Sequence, residues 1–406
     1  MIARITAFVT QFDRNLWILA AGWFVAALGF AASMPFVAIY FHEVLGLTTL
    51  QIGIFFGVQA VVRAVFQAIG GEVSDRIGRL PILIHSQSLR AAALFGLALA
   101  IDRDLGFWWV AGLLTLNSMV GSTFFPVVNA MVSDILPAGK RLDGYAVSRA
   151  AGNLGWGAGP ALGGFLAMHS YAILFHISAA ITLLSALVFW LFLRAPSIKA
   201  REDRFRLTDL AAVRHDKNLA RHMMFCFVIY LVHAQLLVPF SIYTVEIAGI
   251  SKAEYGWLNT VNGILVAVAQ IPVTRLLAPF RFTTQIAVAG LIYFVGYGSL
   301  GFFGSFWPFL GVIIMVTTAE MFMSPPTLTL VSRLAPEGQM GRYMGIHGFF
   351  VTAGWSLGPL WGGFFLDAFS GSTVLAWVMI ASLALAGCVS YFWFGLSLPR
   401  KLNLSD

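Results

Sequence analysis

Apolar runs long enough to cross a lipid bilayer recur about twelve times along this chain of 406 residues. Charged residues make up 11% of the chain, whereas a soluble domain carries about 25%. Such runs must be helices, because an isolated segment in lipid has to satisfy its own backbone hydrogen bonds. The predicted spans are 16–41, 50–74, 80–101, 107–134, 144–168, 171–194, 220–245, 254–278, 283–304, 307–333, 342–367 and 373–396.

A long segment of the chain occurs twice. Residues 132–164 and 331–363 align without a gap at an offset of 199, and both carry the pattern Gly-x-x-x-Gly-Pro-x-x-Gly-Gly. Residues 34–53 resemble residues 238–256 in the same way. A duplicated and strongly apolar chain indicates a membrane transporter built from two halves.

The predicted fold is an all-α membrane protein with twelve transmembrane helices in two pseudo-symmetric six-helix halves. The halves are residues 1–194 and 220–406, joined by a polar linker at 195–219 that has room for a short amphipathic helix. The net charge of +7 is carried largely by alternate loops, the linker and both tails. The positive-inside rule therefore predicts that both termini and the linker are cytoplasmic, and it accounts for the charge without nucleic-acid binding.

The sequence gives no sign of a cofactor, metal or nucleotide site. Cys226 and Cys388 lie far apart in apolar runs, and we interpret them as small buried hydrophobic residues without a disulfide or metal motif. The chain has no Gly-x-x-x-x-Gly-Lys-Ser/Thr loop, which excludes an ATP-driven pump unless a separate subunit supplies the motor. We therefore expect no cofactor, no metal and no enzymatic activity.

The loop after the second span carries a charged pattern with two glycines, on Gly71, Asp75, Arg76, Gly78 and Arg79. Here the chain resembles the major facilitator superfamily, whose signature loop this is, and the twelve spans, the linker and the repeat extend the resemblance over the whole chain. The resemblance implies a cytoplasmic latch in which Gly78 permits a tight turn and Arg79 pairs with Asp134. The plainer interpretation is that the two arginines are topology signals.

The duplicated glycine pattern places small residues along one face of the fifth span and of the eleventh. Another helix can approach such a face closely, and the proline is expected to bend the span. In the family, the fifth-span motif is associated with antiporters and exporters, and generic helix packing is the alternative. The residues are Gly155, Gly159, Pro160 and Gly163 in the fifth span and Gly354, Gly358, Pro359 and Gly362 in the eleventh.

The arginine positions of the first half agree only in part with those of the family. Proton-coupled exporters of the family often carry an Arg in the fourth span four residues before a Gly, whereas here Asn117 precedes Gly121. Arg149, before the glycine pattern, lies in a segment that resembles twelve-span multidrug exporters. We interpret it as a gate or proton-relay partner, or else as an interfacial pair. Arg90 in the third span is expected to be structural.

Ionisable side chains inside spans cost roughly a few kcal/mol each, so each is a functional candidate by default. Glu320 lies deepest, in the tenth span, at the position that matches Gly121 of the first half. It is a candidate for binding a proton or a cationic substrate, or else a carboxyl group satisfied by nearby hydroxyls. The following Pro325 and Pro326 are expected to break the helix.

Two further groups of polar residues lie in predicted spans. Arg63 forms a stripe with Gln59 and Gln67 on one face of the second span, suited to an anionic substrate group or to interfacial pairing. His233 and Gln235 bring polar groups to the seventh span. His233 either responds to pH or is simply hydrogen-bonded.

Together these features predict a secondary transporter of a bacterial inner membrane that acts as a monomer by alternating access. The preferred function is proton-coupled efflux of amphipathic or lipophilic small molecules, with Glu320 as the coupling carboxylate. Its partners are then the small-molecule substrate, protons and the lipid bilayer. The alternatives are a dedicated carrier for a sugar, an organic anion or a siderophore, and a lipid flippase or non-transporting sensor.

Overall fold

The computed structural model describes residues 12–137, 140–194, 216–336 and 339–404, without the side chains of 68–72, 75, 76, 125, 141–143, 340 and 341. In these ranges the regular structure is helical throughout. The first helices are α1 (Arg14–Glu43), α2 (Thr49–Ile77), α3 (Arg79–Asp102), α4 (Phe107–Gly121), α5 (Phe124–Ile135), α6 (Arg141–His169) and α7 (Tyr171–Phe192). They are followed by α8 (Lys217–His233), α9 (Val238–Ile242), α10 (Lys252–Leu277), α11 (Phe282–Ser299), α12 (Phe306–Leu334), α13 (Met340–Ala368), α14 (Thr373–Ser397) and α15 (Arg400–Asn403).

Within the described ranges, 11 segments are long and apolar enough to cross a membrane. α4 and α5 together form one of them, and α8 with the turns that continue it to Ile247 forms another. The 29-residue helix α6 does not reach the same hydropathy, since its many glycines add little apolar character. With α6 included, the helices form the predicted all-α membrane fold of twelve spans in two six-helix halves, and the predicted fold class is confirmed.

The fourth span, predicted at 107–134, is present as one membrane-crossing segment at Phe107–Ile135, but its helix is interrupted by a turn at residues 122–123 between α4 and α5. Pro126 has no N–H to donate to the carbonyl of Ser122. The hydroxyls of Ser122 and Thr123 donate to carbonyls three residues earlier, at 2.7 and 2.9 Å. Local side-chain bonds of this kind compete with the helical ladder.

The seventh span was predicted as one helix at 220–245, and its winding in fact changes three times. α8 ends at His233, a 3₁₀ turn follows at Ala234–Leu236, and the short α9 continues into a π-helical turn at Tyr243–Ile247. Pro239 lies in the first turn of α9, where a missing N–H costs least. The polar residues of this span therefore lie at a change of helical winding.

α12 runs unbroken through Pro325 and Pro326, so the predicted break beside Glu320 is wrong. Pro325 cannot donate a hydrogen bond to the carbonyl of Met321. The Nε2 amide of Gln270, in α10, donates to that carbonyl instead, at 3.2 Å. A neighbouring helix thus supplies the hydrogen bond that the proline removes.

The contacts of the chain divide it into two compact units. Unit 1 comprises 1–40, 61–200 and 251–263, and unit 2 comprises 41–60, 201–250 and 264–406. Each unit therefore contains most of one predicted half, together with the first part of α2 or of α10 from the other half. The proposed boundaries at 194 and 220 remain a prediction, because residues 195–215 lie outside the described ranges.

In unit 1 the glycine face of α6 packs directly on the backbone of α1. A Cβ atom added at Gly155 would lie 2.6 Å from the carbonyl oxygen of Phe24, and one at Gly159 would lie 2.8 Å from a backbone nitrogen of α1. A second face of α6 meets the start of α10, where a Cβ atom added at Gly263 would lie 2.7 Å from Cα of Gly157. Side chains larger than hydrogen would separate these helices.

Unit 2 repeats this packing with α13. A Cβ atom added at Gly354 would lie 2.7 Å from the carbonyl oxygen of Phe227 in α8, and one at Gly53 in α2 would lie 2.7 Å from the carbonyl oxygen of Pro359. The duplicated glycine pattern therefore corresponds to a duplicated set of backbone contacts. The remaining members of the pattern make similar close contacts: Gly163, Gly358, Gly362 and the carbonyl of Pro160.

Candidate functional site

A carboxylate, an imidazole and two phenols meet inside unit 2. Glu320 is half-buried on α12 and lies within electrostatic reach of His233, Tyr230 and Tyr293. His233 is buried, its Nδ1 atom lies 2.7 Å from the hydroxyl oxygen of Tyr293, and its ring centroid lies 4.7 Å from that of Trp355. We call Glu320, His233, Tyr293 and Trp355 the acid cluster.

Hydrogen bonds to backbone carbonyls fix the end of α8, which carries the imidazole of the acid cluster. The hydroxyl of Tyr297 donates to the carbonyl of His233 at 3.3 Å, where the helical ladder ends. Gln235 is fully buried and donates its Nε2 amide to the carbonyls of Leu231 and Gly358, at 2.8 and 2.9 Å. Because both bonds are made to backbone carbonyls, we assign Gln235 a structural role beside the cluster.

A buried guanidinium lies inside unit 1. Arg90 of α3 is 5% exposed. Its Nε and Nη1 donate to Oδ1 of Asn117 and Oε1 of Gln87, both at 3.2 Å. Its Cζ atom lies 5.5 Å from the ring centroid of Phe30, and this ring packs on Trp156 at 5.3 Å. We call Arg90, Asn117, Gln87, Phe30 and Trp156 the arginine cluster.

The two clusters correspond through the internal repeat. Residues of the duplicated segment are related by an offset of 199. The residues of α1 and α8 that contact the duplicated glycines are related by an offset of 203. The first residues of α3 and α11 differ by the same 203 positions. One copy of the repeat therefore holds an acid where the other has a glycine beside an arginine. The equivalent pairs are Phe30 and His233, Arg90 and Tyr293, Gly121 and Glu320, and Trp156 and Trp355.

The three residues of the polar stripe predicted on α2 differ in their exposure. Gln59 is buried, while Arg63 and Gln67, which follow at intervals of four residues, are exposed. The charge of Arg63 acts on Arg90, so the two guanidinium groups share one positive region of unit 1. Arg149 is exposed on α6 and forms no ion pair with a carboxylate of the described residues.

Arg79, the first residue of α3, forms an ion pair with Asp134 near the end of α5. Its Nε atom lies 2.7 Å from Oδ2 of Asp134, and both side chains are largely buried. Gly78 precedes the helix with a φ of 100°, a conformation that glycine adopts without a steric penalty. The pairing expected from the sequence is thus present in unit 1. The side chains of three other latch positions are not among those described: Gly71, Asp75 and Arg76.

Inspection of the sequence missed three polar residues that the structure brings to polar partners, two of them far along the chain. They are Gln87 beside Arg90, Gln270 on a carbonyl of α12, and Asp367 at the start of α2. None of the three lies in a recognisable motif. The sequence marks each of them only as a polar residue within an apolar run. Among the described residues, no group of three His, Cys, Asp or Glu side chains is placed to hold a metal ion.

Comparison with known proteins gives matches over nearly the whole chain. The sequence model of the Major Facilitator Superfamily matches residues 19–359 and, in a second match, 223–406. The MFS-type transporter YttB of Bacillus subtilis (strain 168) is 27% identical over 387 residues, which cover 93% of this chain and 95% of that protein. The multidrug resistance protein MdtH of Enterobacter sp. (strain 638) is 24% identical over 389 residues, 94% of each chain.

Solved structures show the same fold at low sequence identity. A bacterial homolog of the human lysosomal transporter Spinster has a TM-score of 0.78 at 13% identity, covering 96% of this chain and 98% of that one. The nucleoside transporter NupG has a TM-score of 0.76 at 13% identity, covering 95% and 100%. A peptide transporter, POT, in complex with sulfate has a TM-score of 0.76 at 16% identity, covering 96% of each chain.

Proposed function

The chain belongs to the Major Facilitator Superfamily and is a multi-pass membrane transporter; from this premise we propose that it exports amphipathic or lipophilic small molecules in exchange for protons. The proposed cycle is alternating access, in which a binding site near the middle of the membrane opens to one side at a time. Relatives named as multidrug resistance proteins support export. The neighbours that carry nucleosides or peptides share the fold alone.

The acid cluster carries this proposal. Glu320 is half-buried in an apolar helix, and carboxylates within membrane-spanning segments are typical of proton relays. Loading and releasing a proton there changes the charge that His233 and Tyr293 experience. Because His233 is fixed by its hydrogen bond to Tyr293, that change is transmitted to α8 and α11. Glu320 is thus the coupling site of the proposed cycle, with His233 within its electrostatic reach.

The proposed orientation follows the distribution of Lys and Arg. Both termini and the linker lie in the cytoplasm of a bacterial cell, with the chain in the inner membrane as a monomer. The ion pair of Arg79 with Asp134 then lies on the cytoplasmic side. There it is part of the gate that opens when the transporter takes up its cargo.

Measurement of proton flux in proteoliposomes tests the coupling site. We expect Glu320→Gln to bind a lipophilic dye but to lose dye-dependent proton movement, since the amide cannot exchange a proton. Asp104→Asn is the matched control, because it removes a carboxylate from an exposed loop, and Asn tolerates the local φ of 48°. If Glu320→Gln transports with unchanged pH dependence, Glu320 is not the coupling residue.

A dedicated organic-anion carrier is the second candidate, and the arginine cluster favours it. The buried guanidinium of Arg90 and the exposed one of Arg63 give unit 1 a positive region inside the membrane-spanning fold. Competition between structurally unrelated dyes separates the two functions. A multidrug exporter is inhibited by most of them, whereas a dedicated carrier ignores all but close analogues of its substrate.

A further inference from the structure

The arginine cluster holds a buried positive charge that lacks a carboxylate partner among the described residues. Arg90 donates to the side-chain oxygens of Asn117 and Gln87, which are neutral. The charge of Arg63, which acts on it, has the same sign. A buried charge without compensation is unfavourable, and in membrane-spanning segments such residues mark substrate sites or ion paths.

The cluster also has more hydrogen-bond donors than acceptors. A guanidinium carries five N–H groups, of which one on Nε and one on Nη1 bond to the two amides. The side-chain nitrogen of Gln87 is fully buried and has no hydrogen-bond partner within the described part of the chain. Turning this amide around would set its nitrogen against the guanidinium, so the surplus of donors persists in either orientation. An acceptor that carries a negative charge is the chemical group that suits these surplus donors.

The surroundings of the guanidinium fit the apolar part of such a ligand. Phe30 lies against Arg90, and Trp156, which packs on Phe30, is 40% exposed. Gly121 lies beside the guanidinium and leaves it uncovered, because a Cβ atom at this position would lie 3.0 Å from Nε of Arg90. Gly121 is itself partly exposed. An amphipathic molecule can therefore bring its head to Arg90 beside Gly121 and its rings against Trp156.

We propose that unit 1 contains a recognition site for amphipathic anions, in which Arg90 and Gln87 bind a carboxylate head group and Phe30 and Trp156 contact the apolar body. Arg63, which is exposed, attracts the anion to the site. Charge-assisted bonds from a guanidinium to a carboxylate are shorter and stronger than bonds between neutral groups. This inference rests on the proposed transport function and specifies its cargo as lipophilic acids.

A series of three probes tests the head-group preference. They are 1-naphthylacetate, 1-naphthylacetamide and 1-naphthylmethylamine, which share one ring system and carry a negative charge, no charge and a positive charge at pH 7. Binding to the purified full chain in detergent is measured by calorimetry without a proton gradient. We expect the acid to bind at least about tenfold more tightly than the amide, and the amine to bind most weakly. Equal affinity for acid and amide in the unaltered protein overturns the proposal without any mutation.

Two variants of Arg90 and two control variants locate the preference. Arg90→Gln is expected to abolish the tenfold difference and to leave the affinity for the amide unchanged, while Arg90→Lys retains part of it. Arg103→Gln, which removes an exposed guanidinium from the loop after α3, is the matched control and keeps the full preference. If Arg90→Gln binds the acid as the unaltered protein does, Arg90 is not the recognition residue. Glu320→Gln keeps the acid preference in this assay, so loss of proton coupling and loss of anion recognition are distinguished.

Discussion

The backbone N–H of Leu50, in the first turn of α2, donates to the carboxylate of Asp367 near the end of α13, at 2.9 Å. The N–H of Thr49 donates to the other oxygen of the same carboxylate at 3.2 Å. A helix start offers unpaired N–H groups and the positive end of the helix dipole. A single acid from another helix thus satisfies two orphan donors of α2 within unit 2.

Replacement of Asp367 by Ala should loosen the start of α2. Loss of a capping side chain costs about 0.5–2 kcal/mol, so we expect the apparent melting temperature to fall. Hydrogen exchange at the amides of Thr49 and Leu50 should become faster. Mass spectrometry of the peptide that contains them, in detergent or nanodiscs, measures this directly.

Glu254→Gln is the control for this cap. Glu254 accepts from the N–H of Ser251 at 2.8 Å, so it caps the start of its own helix, α10, and does not bridge to another. It should leave exchange at Leu50 unchanged. Unaltered exchange at Leu50 in the Asp367→Ala variant would show that the carboxylate does not hold α2.

The glycine face of α6 should not tolerate a methyl group. Gly159→Ala would place a Cβ atom 2.6 Å from Cβ of Ala31, and overpacking of this kind typically costs about 1–3 kcal/mol. Gly112→Ala in α4 is the matched control, because a Cβ atom there meets no atom of the described residues within 4 Å. Since Ala is the better helix former, we expect that control to be neutral or stabilised by up to about 1 kcal/mol. Equal melting temperatures for the two variants would contradict the close packing.

The helices and the repeat were largely predictable, because both are written as local patterns in the sequence. The last predicted span, 373–396, differs from Thr373–Ser397 by one residue. Apolar length determines such a span, and the capping hydroxyl of Ser372, which accepts from the N–H of Leu375, marks its start. The ion pair of Arg79 with Asp134 was also expected, because the resemblance of the loop after the second span implies a charged latch at these positions.

The helix breaks and the polar clusters were not predictable, because they depend on partners far along the chain. Two prolines in α12 indicated a break, whereas the amide of Gln270, about 50 residues earlier, keeps the helix continuous. Arg90 was expected to be structural because of its position on α3. Its neutral partners and the surplus donor on Gln87 appear once side chains from two helices are brought together.

The hydrogen bond from Gln270 to the carbonyl of Met321 should stabilise α12 only because Pro325 has no N–H to bond that carbonyl. Gln270→Leu leaves a buried carbonyl unsatisfied, which costs about 1–3 kcal/mol. Adding Pro325→Ala restores an N–H for that carbonyl, so the double variant should recover most of the lost stability. Melting temperatures of the two single variants and the double variant form the cycle. Simple addition of the single effects would show that the two residues do not share the carbonyl of Met321.

The charges of Arg79 and Asp134 oppose the helix dipoles at their positions. Arg79 is the first residue of α3, where the dipole is positive, and Asp134 lies in the last turn of α5, where it is negative. Each placement costs about 0.3–1 kcal/mol, so the attraction between the two side chains has to offset it. The pair is therefore better explained by a contact that α3 and α5 must keep than by helix stability.

Exchanging the two charges tests this explanation. Arg79→Ala or Asp134→Ala alone breaks the ion pair between two largely buried side chains, and we expect this to cost up to about 3–5 kcal/mol. The double exchange, Arg79→Asp with Asp134→Arg, keeps the attraction and places each charge in its favourable dipole, so its melting temperature should equal or exceed that of the unaltered protein. In transport assays we expect the exchanged pair to retain activity if attraction alone is required. A double exchange as unstable as the single variants would show that the side chains contribute through packing and not through charge.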